Sequence, residues 1–147
     1  VVHPSVSASS VQELVALAKS RPGQIAYASG GIGSGMHLAA EQLRAASGID
    51  IVHVPYKGLG QAVTDVLAAQ ALVMFASPGA LRGHVNAGKL RALAITGNTR
   101  VPLFPGVPLF TEAGLPAVDA ISLNGIVAPA GTYQNTFLDC APPTSST

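Results

Sequence analysis

Tyr27–Glu41, YASGGIGSGMHLAAE, runs from a short apolar segment through a glycine-rich bend into a helical pattern, and its reading decides the fold. A buried strand that turns directly into a helix is the opening of a βαβ unit, so the same order is expected on either side. Upstream, Ser10-Val11-Gln12-Glu13 forms a capping box, and Val11, Leu14, Val15 and Ala18 follow on one helical face until Pro22-Gly23. This predicts a helix over residues 10–20. The pattern then alternates: strand Ile25–Ser29, helix Met36–Ser47 closed by Gly48, strand Ile49–Val54, helix Gly60–Ala69, strand Leu72–Ala76, helix Pro78–Ala87 closed by Gly88, and strand Arg91–Thr96. Short apolar strands alternating with helices predict an α/β fold, a mainly parallel open sheet with helices on both faces.

Three prolines in Val101–Pro108 remove backbone donors and exclude a regular helix or central strand there. An ordered connection is expected instead, leading to a short helix at Leu109–Ala113 and a last strand at Val118–Val127. Beyond Thr132 the sequence TYQNTFLDCAPPTSST has no period and ends in Pro, Ser and Thr, so residues 133–147 read as a poorly ordered tail.

The chain has 147 residues, 48% of them hydrophobic and 10% charged, which suits one packed domain. Eight basic residues against seven acidic ones are scattered, giving a net charge of +1 and no electrostatic footprint for nucleic acid. The single cysteine, Cys140, permits no internal disulfide. No apolar run reaches the length of a transmembrane helix, and VVHPSVSASS lacks the charged and apolar regions of a signal peptide.

Glycines at 30, 31, 33 and 35 let the backbone approach a ligand closely. Ser34 is placed to cap the following helix, whose free N–H groups and dipole favour an anion. Three anions compete. A dinucleotide pyrophosphate suits Gly31-Ile32-Gly33-Ser34-Gly35, but the next strand ends in His53-Val54-Pro55 with no acid for the ribose, and Asp50 stands at its wrong end. A nucleoside triphosphate needs a Gly-Lys-Ser/Thr ending that is absent. A carboxylate needs only a few oriented donors, which the bend supplies. The plain alternative is that the glycines merely permit a tight strand-to-helix turn.

His37 lies in the first helical turn, where it serves as a neutral hydrogen-bonding group or simply helps the cap. His37, Glu41 and His53 do not form a His-Glu-x-x-His motif, and a simple contact between His37 and Glu41 is the expected reading rather than a metal site. Ser34 lacks the Gly-x-Ser-x-Gly elbow of a hydrolase, although Asp65, Asp119, His53 and His84 are available as partners. Lys57, in Val54-Pro55-Tyr56-Lys57-Gly58, and Ser77, in Ala76-Ser77-Pro78-Gly79, follow strands on the edge where ligands bind in parallel sheets. Each also has a bland reading, as a solvated lysine and a helix cap.

YASGGIGSGMHLAAEQL, DIVHVPYKG, ALVMF, AGKLRALAITG, FPGVPLFTEAGLP and APAGT occur in the order and spacing of one family. Over residues 1–132 the chain resembles the tripartite tricarboxylate transporter receptors, the Bug or TctC-like periplasmic solute-binding proteins. The resemblance implies one lobe, the second domain, of a type II periplasmic-binding-protein clamshell that closes on a di- or tricarboxylate, an aromatic acid or an acidic amino acid. It implies a periplasmic location, delivery to a membrane permease, no catalytic residue, no cofactor and no metal. Its ligand contacts carry over to Ser29, Gly31, Gly33, Ser34, Gly35 and His37, beside Lys57 and Ser77 from the edge argument. Two departures stand out. Ala76-Ser77 replaces an aspartate common after the third strand, and Tyr133 begins a tail where relatives continue with proline and a long helix. The alternatives are a small hydrolase that has reused the lobe and a fragment that self-associates through the face left by the missing lobe.

Overall fold

The computed structural model describes residues 1–115 and 118. Its elements alternate in the expected order: α1 (Val11–Ser20), β1 (Ala26–Ser29), α2 (Gly35–Ser47), β2 (Val52–Pro55), α3 (Leu59–Leu67), β3 (Val73–Met74) and α4 (Pro78–Asn86). The caps explain the helix limits. Ser10 Oγ accepts the Glu13 N–H, while the Glu13 carboxylate reaches one residue further back than the box predicts and accepts from Ser9 N–H at 2.8 Å. Gly48, at φ +64°, takes the left-handed conformation that ends α2.

The three strands are parallel in the order β2-β1-β3, with Tyr27 paired to His53 on one side and Val73 on the other. Because successive side chains leave a strand on opposite faces, β1 and β3 feed two cores. Tyr27 and Val73 join Val11, Leu14, Ala39, Ala40 and Leu43 under α1 and α2. Ala28 and Met74 join Ala62, Val66 and Leu81 under α3 and α4. Helices thus cover both faces of an open parallel sheet, as the alternation requires. No helix of the described residues is long and apolar enough to cross a membrane.

Two expected elements are corrected. Residues 91–96 form only isolated bridges, because Val2 inserts between β3 and this segment and pairs antiparallel with both Val73 and Arg91. Val2 N–H donates to Arg91 O, and Arg91 N–H to Val2 O, each at 2.8 Å. Leu109–Ala113 is one hydrogen-bonded turn rather than a helix, and Ile95 N–H donates to Pro108 O beside it. The prolines of 101–108 do give an ordered connection, with Phe104 buried. The expected strand Val118–Val127 lies outside the described residues except for Val118, and so do the boundary at 132 and the tail 133–147.

Leu43 is 1% exposed at the centre of the α1/α2 face. Leu43→Ala should lower the stability measured by urea unfolding by about 2–5 kcal/mol, the range for a buried leucine that leaves a cavity.

Candidate functional site

In the order β2-β1-β3 the chain leaves β1 towards β2 and then crosses back over β1 to reach β3. The connections after β1 and β3 therefore diverge at the carboxyl edge, which leaves a crevice there. The glycine-rich turn is the connection after β1. A strand buried on both faces must here bend straight into α2, and Gly31 at φ +139° and Gly33 at φ +79° adopt conformations that L side chains rarely take. At Gly31 a Cβ would also lie 3.4 Å from the Tyr56 carbonyl oxygen, so the turn packs close to the connection after β2.

The turn is closed by its own polar groups. Gly31 O is approached by Ser34 Oγ at 2.7 Å, Ser29 Oγ at 3.1 Å and Ser34 N–H at 3.2 Å. Ser34 Oγ also accepts the His37 N–H, which makes Ser34 the N-cap of α2. Ser29 is fully buried, and its hydroxyl accepts the Gly31 N–H and lies 2.7 Å from His53 Nε2. A proton on His53 Nε2 satisfies all of these contacts at once, since Ser29 then accepts from the ring and donates to Gly31 O. Gly35 and Met36, the first residues of α2, have N–H groups with no acceptor among the described residues, as expected at a helix start.

Three rings stack along this wall. Tyr27 and His53 have centroids 4.8 Å apart, and His53 and His37 4.1 Å apart, both pairs inclined by 18°. Tyr27 OH donates to Glu41 Oε1 at 2.7 Å, and Arg44 Nη1 donates to the same carboxylate at 2.9 and 3.1 Å. Burial, followed by the hydrogen bond to Glu41, pushes the Tyr27 phenol well above its usual range. The Tyr27 hydroxyl and then Arg44 hold Glu41 below the usual carboxylate range. His53 is lowered by burial first and by the neighbouring His37 second.

The site residues expected from sequence fall into two groups. Ser29, Gly31, Gly33, Ser34, Gly35 and His37 meet in the one turn, with Ser29 inside it as a support. Ser77 is exposed at the start of α4, where its side chain makes no capping bond. Gly35, Met36, Ala76 and Ser77 together rim one pocket of about 500 Å³, walled by apolar side chains such as Leu59 and Phe75. Lys57 is exposed on the connection after β2 and does not line that pocket. Tyr27 and the stacking role of His53 were missed from sequence. The pairing of Tyr27 with His53 in the β1/β2 register is the signal that would have found them. Among the described residues no group of three His, Cys, Asp or Glu is placed to hold a metal. The Ser34 hydroxyl faces Gly31 O rather than a base, and Asp119, a suggested hydrolase partner, lies outside the described residues.

The histidine shift has a pH consequence. A folded pKa below the unfolded value means that the unfolded chain binds the proton first, so stability falls as pH drops from the ordinary histidine range towards the lowered folded value. His53→Gln, which keeps a polar atom near the Nε2 position, should flatten that part of a melting-temperature profile. The decline that remains at lower pH, where Glu41 takes up its proton, should survive.

Comparison with known proteins places this geometry among relatives. The family model for tripartite tricarboxylate transporter family receptors matches residues 1–140. Protein BugT of Bordetella pertussis is 37% identical over 132 residues, covering 90% of this chain and 40% of the relative. An R. palustris protein solved with adipate superposes with a TM-score of 0.77 at 30% identity, over 80% of this chain and 40% of its own. The periplasmic binding protein BugD gives 0.76 at 29% identity with the same coverage. The chain thus spans about two-fifths of the length of these relatives. With the doubly covered parallel sheet and the glycine-rich turn at its carboxyl edge, the match over nearly the whole sequence shows that the chain belongs to the tripartite tricarboxylate transporter receptor family.

Proposed function

We propose that this chain forms a lobe of a periplasmic receptor that captures a small organic carboxylate for a tripartite tricarboxylate-type transporter. The observation that carries this reading is the convergence of the α2 and α4 starts on one pocket at the carboxyl edge of the sheet. The N–H groups of Gly35 and Met36 and the positive ends of both helices suit a carboxylate. The Ser77 hydroxyl, free of capping duty, adds a donor, and the apolar walls suit a carbon chain. Lys57 contributes charge from the neighbouring connection rather than a direct contact. The related R. palustris protein solved with adipate supports a small dicarboxylate as the ligand class.

A receptor of this kind binds without changing its ligand. Two lobes closing on the ligand bury it, and the closed form is what a permease in the membrane recognises. One lobe leaves much of the ligand in water, so this chain should bind with millimolar rather than submicromolar affinity.

The test is a thermal-shift titration with adipate beside its neutral diamide. Adipate should raise the melting temperature in a dose-dependent way and the diamide should not. Ser77→Ala, which removes no capping bond, should weaken adipate by about tenfold, the scale of one hydrogen bond to a charged group. An equal response to the diamide, or none to any di- or tricarboxylate, aromatic acid or acidic amino acid, would contradict the proposal.

A further inference from the structure

The glycine-rich turn is held from outside by one side chain. Gly33 N–H donates to His37 Nδ1 at 3.1 Å, and this is a bond that only the neutral ring can accept. The tautomer is therefore set: Nδ1 carries the lone pair and Nε2 the proton, facing Glu41 Oε1 at 4.0 Å. A proton added at Nδ1 would place two donors head to head and break the bond. A Cβ at Gly33 would meet nothing within 4 Å, and Ile32 beside it is 80% exposed, so this part of the turn faces outward.

We propose that His37 is a proton-operated latch on this turn: the neutral imidazole pins Gly33, and the imidazolium frees the Gly33 N–H and stands beside it as a cation. The titratable and charged groups facing the ring are Glu41 and, through it, Arg44 on α2, His53 on β2, and Tyr27 on β1; residues 30–34 contribute none. Glu41 faces the ring while paired with Arg44, and the 4.1 Å separation of the two imidazoles sets any positive charge on one ring against charge on the other. Resting on the carboxylate-receptor reading, the latch also links ligand to proton. A carboxylate held by the Gly35 and Met36 N–H groups, just before His37 in the same turn of α2, favours the imidazolium, so ligand binding draws a proton onto Nδ1.

Two measurements on the whole chain separate the latch from that reading. In ¹H–¹⁵N spectra recorded from pH 8 to pH 5 without ligand, the Gly33 amide should shift with the same midpoint as the His37 ring. In His37→Asn, whose amide oxygen replaces Nδ1 as an acceptor that does not titrate, the Gly33 shift should be flat. A Gly33 amide indifferent to the His37 titration, or one that still titrates in His37→Asn, overturns the latch. Adipate calorimetry near neutral pH in two buffers of different ionisation enthalpy should then show proton uptake approaching one per ligand. The corresponding rise in affinity is up to about tenfold per unit fall in pH, absent in His37→Asn. Adipate binding without proton uptake overturns the coupling and leaves the receptor reading standing. Absence of adipate binding at every pH overturns both the coupling and adipate as ligand, with the amide titration still deciding the latch.

Discussion

The Gly31 carbonyl oxygen, approached by two hydroxyls and an amide within the six residues Ser29–Ser34, is the contact on which the carboxyl edge depends. β1 is the middle strand, flanked on both sides and covered on both faces, so the chain leaving it has no room for a gradual turn. The bend is made from backbone, with glycines at 30, 31 and 33, serines folded back onto it and Ile32 turned out to solvent. Ser29 and Ser34 satisfy the partly buried polar groups of the bend from below and from the helix side. Leaving that carbonyl without a partner would cost part of the penalty of a buried unpaired group. The same closure fixes where α2 begins, and hence where its unpaired N–H groups point.

Around this turn the aromatic wall couples sheet to helix. Tyr27 is fully buried, its ring in the core and its hydroxyl anchored to Glu41 on α2. His53 and His37 extend the stack outward, from a buried strand to a half-exposed helix turn. The result is a continuous path of packed and hydrogen-bonded groups from the centre of the sheet to the first turns of α2. Small changes of charge there therefore bear on groups whose positions are set by the core.

Much of this architecture was legible in the sequence, for local reasons. Ser10, Ser34 and Gly48 are capping residues whose effect spans a few positions, and they marked the helix ends to within a residue or two. The glycine-rich turn was legible because only a sharp bend needs glycines so closely spaced. What escaped depended on partners far along the chain. Residues 91–96 have the composition of a strand, but their neighbour is Val2 rather than β3, and apolar periodicity carries no information about who pairs with whom. Likewise, His37 and His53 were weighed together only as metal ligands, and the ring stack that joins them to Tyr27 depends on the β1/β2 register. The expected helix at Leu109–Ala113 failed at its length, since a single turn yields too few hydrogen bonds to repay its ordering.

The insertion of Val2 beside β3 has a kinetic meaning. The β1-α2-β2 unit closes over a short span of chain, whereas the contact between Val1 and Met74 joins residues 73 positions apart. Loop-closure entropy makes such a joint slow to form and dependent on what has already assembled around it. The two ends of the described sheet thus mature on different schedules: the edge bearing β2 and the glycine-rich turn organises from near neighbours, and the opposite edge waits for a distant stretch to return. Until it does, β3 presents a bare flank of backbone donors and acceptors, which makes that flank the place where a partly folded chain is most open to pairing with a stranger.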